Sequence, residues 1–157
     1  MEKSDRAFEL AQEAIAQAKA TGADELNFDD EELRSLRCIP PSITGLSGLK
    51  RIRLDGTRVA DLSPLQSLTD LKWLDLNNTQ IKDLMPLSDL IGLVGISLAN
   101  TPVDDLTPLS NLPELWTLDI SNTAVGDLSP LASCLELHHL IIDGTQVSDL
   151  RARFETS

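Results

Sequence analysis

Apolar positions recur every 22 residues through most of this chain. Five copies begin at Leu49, Leu71, Leu93, Leu115 and Leu137 and read L-x-x-[LI]-x-[LI]-x-x-T-x-[VI]-x-D-L-x-P-L-x-x-[LC]-x-x, the fifth losing the pattern after Leu150. A fixed period of this length marks a stack of like units, because one such unit cannot bury its apolar face alone. From position one to position nine of each copy, apolar and polar residues alternate. This predicts a short strand with positions four and six turned inward, parallel to the strand one repeat away and about 4.8 Å from it.

The rest of each copy predicts a turn on the opposite side. Position nine is Thr57, Thr79, Thr101, Thr123 or Thr145, a small hydroxyl expected to bond backbone groups of the adjacent coil. In Asp-Leu-x-Pro-Leu, the residues Ser63, Thr107 and Ser129 precede Pro64, Pro108 and Pro130, the order of a helix cap followed by proline in the first turn. A short helix or 3-10 turn is expected there, with Met85 marking the least well capped copy. The Asp column at position thirteen (Asp61, Asp83, Asp105, Asp127, Asp149) supplies one carboxylate per coil, a poor calcium site, and reads as capping.

Residues 1–22 predict an N-terminal capping helix. Phe8, Ala11, Ile15 and Ala18 recur at helical spacing, Ser4 or Asp5 is placed to start it and Gly22 to end it. Its three Glu and one Asp outnumber the basic residues, which disfavours a membrane-surface helix. Residues 23–48 form an irregular first repeat in which Leu26, Phe28, Leu33, Leu36, Ile39 and Leu46 keep the phase, with extra length assigned to Pro40–Ile43. Residues 49–150 hold the five full repeats, and 151–157 form a tail where Arg151-Ala152-Arg153-Phe154 interrupts the pattern.

Charge narrows the partners. The formal net charge is -12, which argues against nucleic acid because phosphate would be repelled. Nine of 13 basic residues precede Ala60, whereas the stretch from Asp83 to Leu150 holds ten acidic residues and no Lys or Arg. No apolar run is long enough to span a bilayer and Met1–Lys19 lacks a signal-peptide core, so a cytoplasmic location and no membrane contact are expected. Cys38 and Cys134 resemble no metal site and no disulfide pair; Cys134 takes a Leu position and reads as a small core residue. His138-His139 are adjacent on a strand and so expected to face opposite ways, which disfavours a shared metal ion. Ser121, His139 and Asp119 make a triad on paper, without a nucleophile elbow or oxyanion pocket. No enzyme activity and no cofactor are expected.

The repeat L-x-x-L-x-L-x-x-T-x-[VI]-x-D-L-x-P-L resembles the 22-residue class of leucine-rich repeats typified by bacterial internalins, with Thr where many relatives carry Asn. The likeness covers 49–150 strongly and 23–48 weakly. The stretch Ala14–Ala23 followed by Leu26 and Phe28 is similar to the start of the leucine-rich region of bacterial Roco-type proteins, although the chain carries no G-x-x-x-x-G-K-[ST] motif of their GTPase. Internalins are secreted; that location is not carried over, as this chain shows no leader. The resemblance implies an α/β leucine-rich-repeat solenoid, curved, with short parallel strands on the concave face, short helical or 3-10 turns on the convex face and an N-terminal helical cap.

In such a stack, positions two, three, five, seven and eight are free to vary and line the concave face or its rim. The candidate partner-binding residues are Lys50, Arg51, Arg53, Lys72, Trp73, Asp75, Trp116, Asp119, His139 and Ile141. Trp73 and Trp116 are the only two tryptophans, and both avoid the Leu positions. Exposed Trp is enriched at binding hot spots, and a basic start set against acids at the far end would orient a partner. The expected function is a non-catalytic protein–protein interaction module. The alternatives are a sensory or scaffold fragment of a larger protein, and a second copy of the chain docking on an uncapped C-terminal end.

Overall fold

A computed structural model describes residues 2–150, so the predicted tail 151–157 lies outside the described residues. Six strands, β1 (Glu25–Asn27), β2 (Arg51–Arg53), β3 (Trp73–Asp75), β4 (Gly95–Ser97), β5 (Thr117–Asp119) and β6 (His139–Ile141), form one sheet in chain order. All neighbours are parallel and repeat positions sit opposite one another, as in Arg51 beside Trp73 and Thr117 beside His139. Each strand covers only positions three to five. The alternation out to position nine predicted a longer one, but the chain turns at positions seven and eight. Position eight is in the left-handed region in every full copy: Gly56 (φ 71), Asn78 (φ 58), Asn100 (φ 58), Asn122 (φ 55) and Gly144 (φ 69). Gly and Asn are the residues that tolerate this conformation. Position eight is therefore a turn device rather than a free surface position.

The interior is a set of aligned columns. Ile52, Leu74 and Leu118 from position four and Leu54, Leu76, Leu98 and Ile120 from position six are all fully buried. The position-nine threonines Thr57, Thr79, Thr101 and Thr123 are buried too, and each hydroxyl donates to the position-six carbonyl of its own coil, for example Thr57 Oγ1 to Leu54 O at 2.8 Å and Thr101 Oγ1 to Leu98 O at 2.7 Å. The expected bond to the neighbouring coil is replaced because a carbonyl three residues back lies nearer in so tight a turn. Cys134 is buried with its Sγ 3.3 Å from Leu109 O, a small core residue as expected.

The opposite side carries 3-10 turns such as Ser63–Leu65, Met85–Leu87, Thr107–Leu109 and Ser129–Ser133. Their caps differ from the sequence expectation. Ser63, Thr107 and Ser129 are the first residues inside the turns, and the position-thirteen aspartate two residues earlier does the capping. Asp61 Oδ1 accepts from the Ser63 amide at 2.8 Å, and Asp105 Oδ1 accepts from the Thr107 amide at 2.8 Å and its hydroxyl at 2.6 Å. Asp83 accepts from the Met85 amide at 2.8 Å, so copy two loses only the hydroxyl contact.

These bonds hold the carboxyls of Asp61 and Asp105 below the usual 3.8, the side-chain hydroxyl bond first and the amide bond second; for Asp127 the Ser129 amide leads. A depressed folded-state pKa contributes stability above the unfolded value that is lost as pH falls through the folded value. Asp105→Ala is expected to cost about 0.5–1 kcal/mol at pH 7, as for loss of a side-chain cap. The difference from wild type should shrink below pH 3.8, the usual value. Urea titrations at pH 7 and in the acid range measure this, and a gap that widens in acid contradicts the assignment.

Helix α1 (Lys3–Thr21) lies across the first coil, burying Ala7, Ala11, Ile15 and Ala18. Its N-cap is Glu2 rather than Ser4 or Asp5; Asp5 instead accepts the Glu2 amide at 3.3 Å from the third helical position. Gly22 (φ 67) ends the helix, with the Ala23 amide bonded to Ala18 O at 3.0 Å. The extra length of the first repeat falls earlier than expected. Glu25 pairs with Arg51, 26 residues on, while the 3-10 turn Pro41–Gly45 precedes Ser63–Leu65 by 22. The inserted residues therefore lie ahead of Pro41, where an additional 3-10 turn, Glu31–Leu33, is stabilised by Asp30 accepting the Glu31 amide at 2.8 Å.

Candidate functional site

Parallel register fixes which variable side chains meet on the sheet face. Position three forms the row Glu25, Arg51, Trp73, Gly95, Thr117, His139, and position five the row Asn27, Arg53, Asp75, Ser97, Asp119, Ile141. Lys50, Lys72 and Trp116 stand at position two, one residue before the strands, and make the rim. All ten predicted residues thus fall on the face or its rim, in two groups with the third coil between them.

The first group is a cation stacked on an indole. The Arg51 guanidinium lies 5.3 Å from the Trp73 ring centroid, within cation–π range. Trp73 is half-buried because its ring lies across Gly95: a Cβ added there would come within 2.2 Å of two ring carbons. The third copy, whose outward positions are the small Val94, Gly95, Ser97 and Ala99, is thus the seat of Trp73. The Nε of Arg51 is shut from solvent and has no hydrogen-bond partner among the described residues.

The other cations are less free than the sequence implied. Arg53 bridges Glu25 at 3.2 Å and Asp75 at 3.6 Å, and Lys50 pairs with Asp24 at 3.4 Å. That leaves Arg51 and Lys72 as the face's cations without a carboxylate partner among the described residues. The polarity expected of the basic end is therefore partly cancelled locally.

The second group is aromatic. Trp116 is 42% exposed, its ring 4.3 Å from that of His139 and 6.2 Å from that of His138, the latter stacked at 26°. Both histidines gather on one indole, which corrects the expectation that they face opposite ways: His138 precedes β6, so strand alternation does not govern it. Among the described residues no three His, Cys, Asp or Glu side chains are grouped to hold a metal. Asp119 is occupied by its own turn, accepting the Ser121 amide at 2.9 Å and hydroxyl at 2.5 Å. The Ser121 hydroxyl thus points at a carboxylate instead of an imidazole, and the paper triad lacks the order its chemistry needs.

Beside the first group, Asp55 is half-buried and its carboxyl is raised above the usual 3.8, chiefly by burial and then by the charge of Asp75. Asp55 Oδ1 accepts the Asn77 amide at 2.9 Å, and Asn77 Oδ1 in turn accepts the Ala99 amide at 2.8 Å. A raised folded-state pKa means that ionisation costs stability as pH climbs from the unfolded to the folded value. Asp55→Asn keeps the acceptor and removes the charge. The variant is expected to be more stable at pH 7 by about 0.5 kcal/mol, a small figure because solvent screens half-open groups. The gain should vanish below pH 3.8; thermal melts across pH test it, and a loss of stability at pH 7 would contradict it.

A hollow of about 610 Å³ lies elsewhere, between α1 and the Glu31–Leu33 turn, among Lys3, Arg6, Arg34, Arg58 and the acids Asp30–Glu32. It mixes charges without convergent chemistry. On the sheet face the hollow beside Arg51 and Trp73 is about 290 Å³ and shallow. The face is thus open and shallow beside Arg51 and Trp73, without an enclosed cleft there.

Coils of one three-residue parallel strand and one 3-10 turn, stacked in 22-residue register under a helical cap, define a leucine-rich-repeat solenoid. No family model matches the chain, and no curated protein matches its sequence. Among solved structures it is similar to internalin C2 of Listeria monocytogenes, at 25% identity and a TM-score of 0.74 over 96% of this chain and 89% of that one. It is similar in fold to internalin F of the same organism, at 23% identity and a TM-score of 0.53, where it spans 57% of that protein's length. It also shares the fold of the ectodomain of the Arabidopsis thaliana receptor kinase GASSHO1/SCHENGEN3, at 20% identity and a TM-score of 0.64 over 77% of this chain and 15% of that one; that ectodomain is in complex with CASPARIAN STRIP INTEGRITY FACTOR 2. The protein is internalin-like, and these neighbours support a protein–protein interaction module in general. Among the described residues no helix is long and apolar enough to cross a membrane.

Proposed function

We propose that this chain is a non-catalytic module that holds a protein partner on the concave face of its sheet. The partner lies across the Trp116–His138–His139 group and reaches the Arg51–Trp73 group about 10 Å away, two strand spacings along the stack. The observation that carries this reading is Trp116, a large aromatic 42% exposed on a rigid rim where no other coil has an aromatic of its size. Burial of such a residue by a partner contributes about 2 kcal/mol or more. Trp73 and Arg51, already packed together, give a preorganised flat platform that loses little entropy on binding.

Trp116→Ala is the cleaner test of this reading, since Trp73 also packs against its own chain. With the partner isolated by crosslinking and the affinity measured by calorimetry, Trp116→Ala is expected to weaken binding by about 30-fold or more. The thermal midpoint should stay nearly unchanged. Unaltered affinity would place the docking surface elsewhere.

A further inference from the structure

Several cations of this solenoid are neutralised across coils. Arg53 meets Asp75 and Lys50 meets Asp24 at the matching position one coil away. On the side wall Lys82 and Asp104, both at position twelve, pair at 2.7 Å. Two arginines of the same wall find no such carboxylate. The Arg58 amide donates to Leu36 O at 2.8 Å just as the Gln80 amide donates to Val59 O at 3.0 Å, so Arg37 takes position twelve of its coil and Arg58 position ten of the next. One coil further on, those positions hold the uncharged Ala60 and Gln80. Arg37 and Arg58 are exposed and have no carboxylate within pairing distance among the described residues. With Ala60 and Gln80 they line an open hollow of about 590 Å³.

The acids around this hollow are already engaged or out of reach. Asp61 accepts the Ser63 amide and hydroxyl, Asp5 accepts the Glu2 amide, and Glu9 holds Arg6 at 3.6 Å. Glu31 and Glu32 border Arg58 on its other side, and neither pairs with it. Arginine presents a rigid fork of N–H donors that a carboxylate accepts through two bonds, and the Gln80 amide adds a further donor. Two forks one coil apart, about 4.8 Å, match two acidic side chains about 5–6 Å apart on successive turns of a helix. Charge directs such a segment to this wall. Residues 83–150 hold ten acids and no Lys or Arg, so an acidic chain is repelled there and attracted here. We propose that Arg37 and Arg58 form a docking site for an acidic segment of a protein partner, each guanidinium taking one Asp or Glu side chain of that segment. The site lies past the position-eight turn, off the sheet face, so it and the Trp116 face can fail independently.

The probe is a short peptide of alternating Asp and Glu with blocked ends. Titrated into the full chain at low ionic strength, it is expected to bind with a dissociation constant on the order of 100 μM and to shift the amide resonances of Ala60 and Gln80. Arg37→Gln combined with Arg58→Gln should weaken binding by about tenfold or more. Ala60→Glu should weaken it as much, because it places a carboxylate one coil from Arg37, as Asp104 is placed for Lys82. Lys82→Gln removes a charge from the same wall, but from a cation already paired, and should leave affinity within about twofold. All four positions are exposed, so each variant should fold as the wild type does. Unaltered binding in the double variant would overturn the proposal. So would a loss from Lys82→Gln equal to that from Arg58→Gln alone, or inorganic phosphate binding this wall more tightly than the peptide.

Discussion

Ile96→Ala in the central strand is expected to lower the unfolding free energy by about 2–4 kcal/mol, whereas Leu140→Ala in the last coil should cost about half as much. Ile96 is 1% exposed, with Leu74 and Leu118 directly beside it in the sheet, so the cavity left by truncation is lined on both sides and cannot collapse. Among the described residues Leu140 has a neighbouring coil on one side only, and it is half-buried. In a solenoid each unit touches only its neighbours, so stability is a sum of unit and interface terms, and a defect in the middle weakens two interfaces where one at the end weakens one. Urea titration followed by circular dichroism measures both costs. Equal costs at the two sites would mean that the coils do not carry stability as a nearest-neighbour stack.

The same nearest-neighbour logic explains why the fold was legible from the sequence. Position four can only face inward if position six does, and five repeats of that constraint leave one architecture; Leu74, Leu118 and their column mates are buried as the pattern requires. Register followed without further information, because equal spacing puts equal positions side by side. Details within the turn were less legible. Thr57 has several carbonyls within reach, and sequence alone does not say that Leu54 O lies nearest. The cap passed from Ser63 to Asp61 because an aspartate two residues ahead of the turn reaches both its amide and its hydroxyl. The recurrence of Gly or Asn at Gly56, Asn78, Asn100, Asn122 and Gly144 was a usable signal for the left-handed turn residue, since few others tolerate positive φ.

The candidate site was legible only as a set of outward positions. Which side chains combine depends on χ angles and on the size of the neighbour one coil away, and a repeat consensus constrains neither. Trp73 leans over the next coil because Gly95 leaves room, and Trp116 meets both histidines because His138 stands ahead of the strand. Arg53 and Arg51 look alike in sequence; one is tied between Glu25 and Asp75 while the other lies on an indole. Contacts between neighbouring coils, mostly at the same repeat position, therefore carry the chemistry of this face, and reading copies one at a time misses them.

Gly95→Val is the second change expected to have a large effect, and it isolates that cross-coil packing. The new Cβ would meet Trp73 ring carbons at 2.2 Å and Thr117 Cγ2 at 3.0 Å, so one of them must move. The indole is the free end of a side chain, and it is the group expected to swing away, taking with it the stacking platform of Arg51. Valine favours a strand, which offsets part of the loss, and the net cost is expected to be about 1–3 kcal/mol, typical of overpacking. In a Trp116→Phe background, Trp73 emission should shift to longer wavelength as the ring enters water. The decisive comparison is a double-mutant cycle with Trp73→Ala. Once the ring is gone the valine has room, so the two changes should couple by about 1 kcal/mol or more. Additive costs, or an unchanged emission maximum, would show that Gly95 is not the seat of Trp73 and that the platform forms without it.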